Sequence, residues 1–257
     1  MQGEALAEAD AFIHHYLHWI FLLELNGQIV YLSFRHRRNP RQVVSVLVAS
    51  HASPSAASSA QSMLCLLRHP ALPLQCLLST EHQVIGASRH GSDLSVDLAD
   101  KASIVSMYQQ LGTVDAVICA AGAAKFAPLE SLTDEDFAFS LTNKLMGQIN
   151  LVRCSVGDVE QGGSLTLTSG ILAQHPMKGS AAISIVNAVV EAFGRSAALE
   201  LKGKARVNIV SPGWVSETLA AMGQARSAGV PADAVAQAYK RSLLEDVTGQ
   251  VIQVVKW

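Results

Sequence analysis

At 257 residues, 49% of them apolar, the chain is long enough to bury a full core in one large α/β domain. A formal net charge of −2 suggests neither nucleic acid nor an anionic membrane as a partner. The four cysteines, Cys65, Cys76, Cys119 and Cys154, have no paired or metal-type spacing. Cys119 and Cys154 lie in apolar runs where free thiols pack as small hydrophobes, so a reducing cytoplasm is the expected compartment and no metal is expected.

Residues 4–24 carry a helical pattern. The apolar run at 11–32 is interrupted by His14, His15, His18, Glu24 and Asn26, which makes it a poor membrane span, and no positively charged start marks a secretory signal. Arg35, Arg37, Arg38 and Arg41 form a local arginine excess, read as a solvated loop with phosphate contact as the alternative. Val43-Val44-Ser45-Val46-Leu47-Val48 is short, continuous and β-branched, the pattern of a buried strand. A Ser/Ala-rich stretch follows at 51–60, and Pro70 and Pro73 break the helix after it. The first 82 residues hold only two glycines, Gly3 and Gly27, so tight turns there are few.

Beyond residue 82 the pattern becomes regular. Strands are expected at Gln83–Ala87, Val114–Cys119, Ser164–Thr168, Arg206–Val210 and Val251–Val255. Helices are expected to open at Asp100, Thr133, Ser180, Ser216 and Pro231, where a capping side chain or a proline suits the unpaired amides of a first turn. Such alternation implies an α/β, Rossmann-like, doubly wound parallel sheet. The expected organisation is therefore an atypical N-terminal region at 1–82 and a regular domain at 83–257.

Several motifs, in order, resemble the short-chain dehydrogenase/reductase family over roughly the last two-thirds of the chain. Val84-Ile85-Gly86-Ala87-Ser88-Arg89 is similar to the second strand and its cofactor-facing end, and Asp97-Leu98 falls where the family places an acidic residue near the adenine. Cys119-Ala120-Ala121-Gly122 resembles the turn after the fourth strand, with its leading Asn replaced. Leu167-Thr168-Ser169-Gly170 resembles the fifth-strand serine site, Glu191-Ala192-Phe193 with Leu199-Glu200-Leu201 the long helix after it, and Ser211-Pro212-Gly213-Trp214 the turn beside the nicotinamide. Thr248-Gly249-Gln250-Val251-Ile252 matches the last strand. The resemblance implies cofactor contacts at Ser88, Arg89, Asp97, Leu98, Ala121, Gly122, Pro212, Gly213 and Thr218. A guanidinium at Arg89 can fork onto a 2′-phosphate where an acid would grip a free 2′-hydroxyl, which favours NADP over NAD. Taken singly, Gly122 and Gly213 read as turn glycines, Arg89 as a surface arginine, Asp97 as a turn or capping residue and Trp214 as packing.

The reactive positions depart from the family. Carbonyl reduction there uses a tyrosine, a lysine, a serine and an asparagine. In Ile183-Ser184-Ile185-Val186-Asn187 the tyrosine's place falls on Ile183 and the lysine's on Asn187, while alignment on Gly147 puts Lys144 at the asparagine's place. Ser169 alone is kept, so Ser169, Lys144 and Asn187 are the candidate catalytic residues, with Lys144 a cation close to the nicotinamide. The alternative has Lys144 facing solvent and Asn187 bonding its own helix. Ser184 and His175 could donate a proton, but neither falls at the tyrosine's position.

No Gly-x-x-x-Gly-x-Gly loop precedes Gly86. Either residues 43–48 form the central strand and 49–55 the phosphate turn, or part of residues 1–82 is translated out of frame around Leu67-Arg68-His69-Pro70. The expected activity is NADP(H)-linked hydride transfer to or from a small carbonyl or secondary alcohol. Its rivals are a non-catalytic cofactor sensor or structural subunit, and a damaged copy that binds nothing. The segments 133–155 and 180–202 resemble the family's dimer-forming helix pair, which implies a homodimer or homotetramer.

Overall fold

A strand covered on both faces must be apolar along its whole length, and Gln83–Ser88 (β2) is buried at every position. The computed structural model describes residues 42–46, 74, 77–78, 82–89, 93–221 and 223–256. In these the other strands are Gln42–Val46 (β1), Leu94–Ser95 (β3), Val114–Cys119 (β4), Val159–Thr168 (β5), Ala205–Pro212 (β6) and Val251–Val254 (β7). They form one sheet in the order β3-β2-β1-β4-β5-β6-β7, every pair parallel. That is the doubly wound Rossmann order.

An interior position belongs to β1, which pairs with β2 from Gln42 to Val46 and with β4 from Val43 to Val46. The strand read at 43–48 thus has a partner on each side, and the backbone edges of β2 and β4 are closed. The candidate turn at 49–55, the possible frame change at 67–70, the helix at 4–24 and the arginine cluster lie outside the described residues. β3 is two residues long, too short to leave a hydrophobic period in the sequence. β5 begins five residues before its expected start, at Val159, where the register against β4 shifts between Val114 and Ala116.

The helices begin at the expected residues, although Ser180 makes no side-chain cap and its hydroxyl donates to the Met177 carbonyl instead. Asp100 accepts from the Ala102 amide to open Lys101–Leu111 (α1). Thr133 and Asp136 cap each other reciprocally at the start of Asp134–Ser140 (α2). The chain then takes a π-helical turn over Leu141–Met146 before continuing as Gly147–Ser155 (α3). Ala181–Glu200 (α4), Ser216–Ala221 (α5) and Ala232–Leu244 (α6) follow, the last after Pro231. α3 packs between α1 and α4, and α6 lies against β5, β6 and β7.

Two tyrosines are wholly buried and spend their hydroxyls internally. Tyr108 Oη donates to the Leu151 carbonyl at 2.9 Å, tying α1 to α3. Tyr239 Oη shares a hydrogen with Thr168 Oγ1 at 2.7 Å, tying α6 to β5. Gly147 marks a close approach, since a Cβ there would meet Leu98 Cβ at 2.8 Å and the Leu98 carbonyl oxygen at 3.0 Å. Gly147→Ala is expected to cost ~1–3 kcal/mol through overpacking. Urea unfolding measures this, and an unchanged midpoint would contradict the tight fit.

Candidate functional site

In an open parallel sheet, ligands bind beyond the carboxyl ends of the strands, in the crevice where the strand order reverses. Here β1 precedes β2 on one side and neighbours β4 on the other, so the reversal lies between β1 and β4. Ser88 and Arg89 end β2, Ala121 and Gly122 follow β4, Ser169 follows β5, and Pro212 and Gly213 end β6. The parallel register brings all of these to one edge of the sheet. Thr218 lies on α5, which follows the Gly213 turn.

Lys144 is buried, with 7% of its surface exposed, so the reading in which it faces solvent is corrected. The physical reason is the π turn: its wider winding lets consecutive residues Asn143 and Lys144 both reach inward partners. Lys144 Nζ donates to the Ser169 carbonyl oxygen at 3.5 Å. Burial pushes its ammonium down to about 8, opposed weakly by the neighbouring Cys119. The Cys119 thiol is itself pushed up to about 12 by burial and donates to the Ala121 carbonyl at 3.6 Å. Gly122 has φ +144°, and a Cβ there would meet Lys144 Cγ at 2.8 Å, so its glycine makes room for the lysine stem. At Gly213 a Cβ would make only ordinary contacts, the nearest at 3.5 Å.

Ser169 Oγ donates to Glu191 Oε1 at 2.8 Å, and both residues are 4% exposed. Asn187, one helical turn before Glu191 on α4, is buried, and its Oδ1 has no hydrogen-bond partner. Its amide nitrogen lies 2.9 Å from where a Gly170 Cβ would stand. An Asn187 bonded into its own helix is therefore not what the fold contains at Oδ1. Ser184 Oγ donates to Ser180 Oγ at 2.9 Å and is spent locally, while His175 is exposed in the loop before α4.

At the β2 end, Arg89 Nη2 reaches Asp97 Oδ1 at 2.9 Å and Asn143 Oδ1 at 3.0 Å, while its Nε is buried without a partner. Asp97 Oδ1 also accepts from the Ala99 amide, so Asp97 is a turn residue and an arginine anchor at once. Leu98 beside it is buried against Gly147. Trp214 packs edge-on against Phe126, with ring centroids 6.5 Å apart. A cleft of about 170 Å³ lies beyond Gly213, bordered by Ile171, Trp214, Val230 and Val255.

Three contributors had no role in the sequence reading. Gln148 closes both backbone groups of Thr168: its Oε1 accepts from the Thr168 amide and its Nε2 donates to the Thr168 carbonyl, each at 2.8 Å. Asn143 holds Arg89, and Glu191 holds Ser169. The signal for Glu191 was available, since Asn187 and Glu191 are polar residues at i and i+4 in an otherwise apolar helix face.

Residues 79–252 match a family profile described as enoyl-(acyl carrier protein) reductase. The chain belongs to the short-chain dehydrogenase/reductase family. Hydroxynaphthalene reductase of Aspergillus fumigatus is 30% identical over 142 residues, 53% of this chain and 51% of that protein. The 3-oxoacyl-[acyl-carrier-protein] reductase of Mus musculus is 29% identical over 125 residues, 46% of this chain and 53% of that one. The chain spans about half the length of the curated relatives it matches. The protein lin1944 from Listeria innocua superposes with a TM-score of 0.68 at 33% identity, covering 82% of this chain and 99% of that one. A small-chain dehydrogenase in complex with NADPH superposes with a TM-score of 0.65 at 25% identity, covering 83% and 96%.

A lysine with a folded value near 8 and an ordinary unfolded value of 10.5 binds fewer protons folded than unfolded between those two pH values. Stability at this site therefore rises with pH from about 8 to 10.5, and below about 8 the penalty of the buried ammonium is full and no longer changes with pH. Relative to Lys144→Met, the wild type is expected to gain stability over that window. Denaturant titrations of both proteins at pH 7.5, 9 and 10.5 measure it, and a flat or opposite slope would show that Lys144 is hydrated.

Proposed function

We propose that this short-chain dehydrogenase/reductase binds NADP(H) along the carboxyl edge of its sheet and transfers hydride between it and a small carbonyl or secondary alcohol. The observation that carries the reading is the convergence of Arg89 at the end of β2 with Lys144 and Ser169 at the end of β5 on one edge of the sheet. The NADPH complex of a 25%-identical dehydrogenase supports NADP as the cofactor. The donor set fits such a group. Arg89 carries a buried Nε without a partner, suited to a phosphate, and Asn187 Oδ1 is a buried acceptor without a donor, suited to a ribose hydroxyl or a carboxamide. When bound, the cofactor supplies or accepts the hydride.

The chain's own residues would divide the remaining work. Arg89, steadied by Asp97 and Asn143, would hold the 2′-phosphate end, with Ser88, Leu98 and Ala121 around the adenosine and Pro212, Gly213 and Thr218 on the nicotinamide side. Lys144 would present a cation with a value near 8 to the reacting oxygen, in place of the family's tyrosine and lysine, whose positions hold Ile183 and Asn187. Tyr108 and Tyr239 supply no substitute phenol, because burial raises both above the ordinary range and both hydroxyls are engaged. The cleft at Trp214 and Val230, which His175 and Lys256 also line, would receive the substrate body. The reading extends to a homodimer or homotetramer built on the exposed Ile185, Val189 and Leu199 of α4. It places the protein in the cytoplasm, where Cys119 and Cys154 stay free thiols.

A second reading, cofactor binding without turnover, is favoured by the commitment of the Ser169 hydroxyl to Glu191. Fluorescence titration with NADPH and NADH, followed by NADPH oxidation over a panel of aldehydes, ketones and quinones, separates the two. Arg89→Ala is expected to weaken NADPH binding about tenfold or more and to leave NADH nearly unchanged. Equal losses for both cofactors would remove Arg89 from the 2′-phosphate. Lys144→Ala with unchanged NADPH oxidation would remove Lys144 from the chemistry.

A further inference from the structure

Glu191 is a carboxylate inside the protein, 4% exposed, and a buried charge requires matching groups. Three face it. The Ser169 hydroxyl comes from the end of β5, the Gln174 side-chain amide from the loop before α4, and the Arg195 guanidinium from one turn further along α4, 4.0 Å from Oε2. Gln174 is exposed and the Arg195 side chain is 53% exposed, so Glu191 connects a buried serine to groups in water.

A hydroxyl has one proton, and its direction decides what the oxygen can offer. Ser169 gives that proton to Glu191 Oε1, so toward a ligand its Oγ presents lone pairs. Such an oxygen accepts from an alcohol and gives nothing to a carbonyl. Lys144 is bound to the Ser169 backbone carbonyl and leaves the hydroxyl to Glu191.

We infer that Glu191 is the proton-accepting residue of the hydride-transfer site, acting through Ser169, and that the resting site is set to take a secondary alcohol. This rests on the function proposed above. In oxidation, the carbinol C–H bond breaks and its electron pair leaves as hydride to the oxidised nicotinamide. The alcohol O–H bond breaks as its proton passes to Ser169 Oγ, and the serine's own proton passes to Glu191 Oε1. The carbon–oxygen bond becomes a carbonyl, and the proton on Glu191 leaves for water on the side that Gln174 and Arg195 expose. Reduction runs the same path backward from the protonated carboxyl. Glu191 touches no substrate, so it is a positioning and relay residue, and a purely structural Glu191 would move stability and leave the chemistry alone.

The test uses the full chain, with Glu191→Gln, Glu191→Asp and Ser169→Ala, and three readouts. NADPH fluorescence comes first, with equal affinity expected for wild type and Glu191→Gln. NADP+ reduction with 2-propanol, cyclohexanol and 1-phenylethanol comes second. Glu191→Gln is expected to lower kcat about a hundredfold with an unchanged KM for NADP+, and Glu191→Asp to recover part of the loss. Carbon-13 NMR of protein labelled at the glutamate carboxyl comes third and needs no cofactor. The Glu191 line, identified by its disappearance in Glu191→Gln, is expected to shift in Ser169→Ala. The relay is overturned by wild-type kcat in Glu191→Gln, by a Glu191 line that ignores Ser169→Ala, or by a wild-type chain that binds NADPH and oxidises none of the alcohols. A wild-type chain that binds no NADPH while its Glu191 line responds overturns the cofactor reading itself, and the first readout tells that failure from the others.

Discussion

The carboxyl end of β5 is where the hydrogen-bond ladder of the sheet stops inside the protein, and every polar group stranded there has to be matched by a side chain. Gln148 closes the amide and carbonyl of Thr168, Tyr239 and the Cys119 carbonyl share the Thr168 hydroxyl, Lys144 takes the Ser169 carbonyl, and Glu191 takes the Ser169 hydroxyl. The π turn, α3, α4, α6 and β4 are all tied to these two residues. Ser169 is positioned by the whole set, with no flexible loop involved.

The same arrangement balances charge. Lys144 and Glu191 are both buried and bond different atoms of Ser169, the lysine its carbonyl oxygen and the glutamate its hydroxyl. Either charge alone in that interior would be costly. Each gains a hydrogen bond from the serine, which for Lys144 offsets only part of the cost of burial. Gly122 belongs to this economy as well, because its missing side chain admits the lysine stem.

Much of the fold was legible because it rests on local signals. Asp100 and Thr133 cap helices through their own side chains, and short apolar runs such as 84–87 and 116–119 have no stable place except a covered parallel strand. Val43 to Val46 could be read as a strand for the same reason. The two-residue β3 and the early start of β5 left no period to read. At the site, the residues ending strands were found because a parallel register delivers them to one edge. Lys144 and Asn187 were found by position, but whether they faced inward was open until the π turn and the α4 packing were seen.

The amino-acid order by itself determined the alternation of strand and helix, the helix starts and the family motifs, since each depends on neighbours within a few residues. Only the tertiary structure decided that Lys144 is buried, that Arg89 is held by Asp97 and Asn143, and that the Ser169 proton points at Glu191. Those facts join residues 8 to 54 positions apart, and their energies come from desolvation and hydrogen-bond direction, which exist only once the layers have closed.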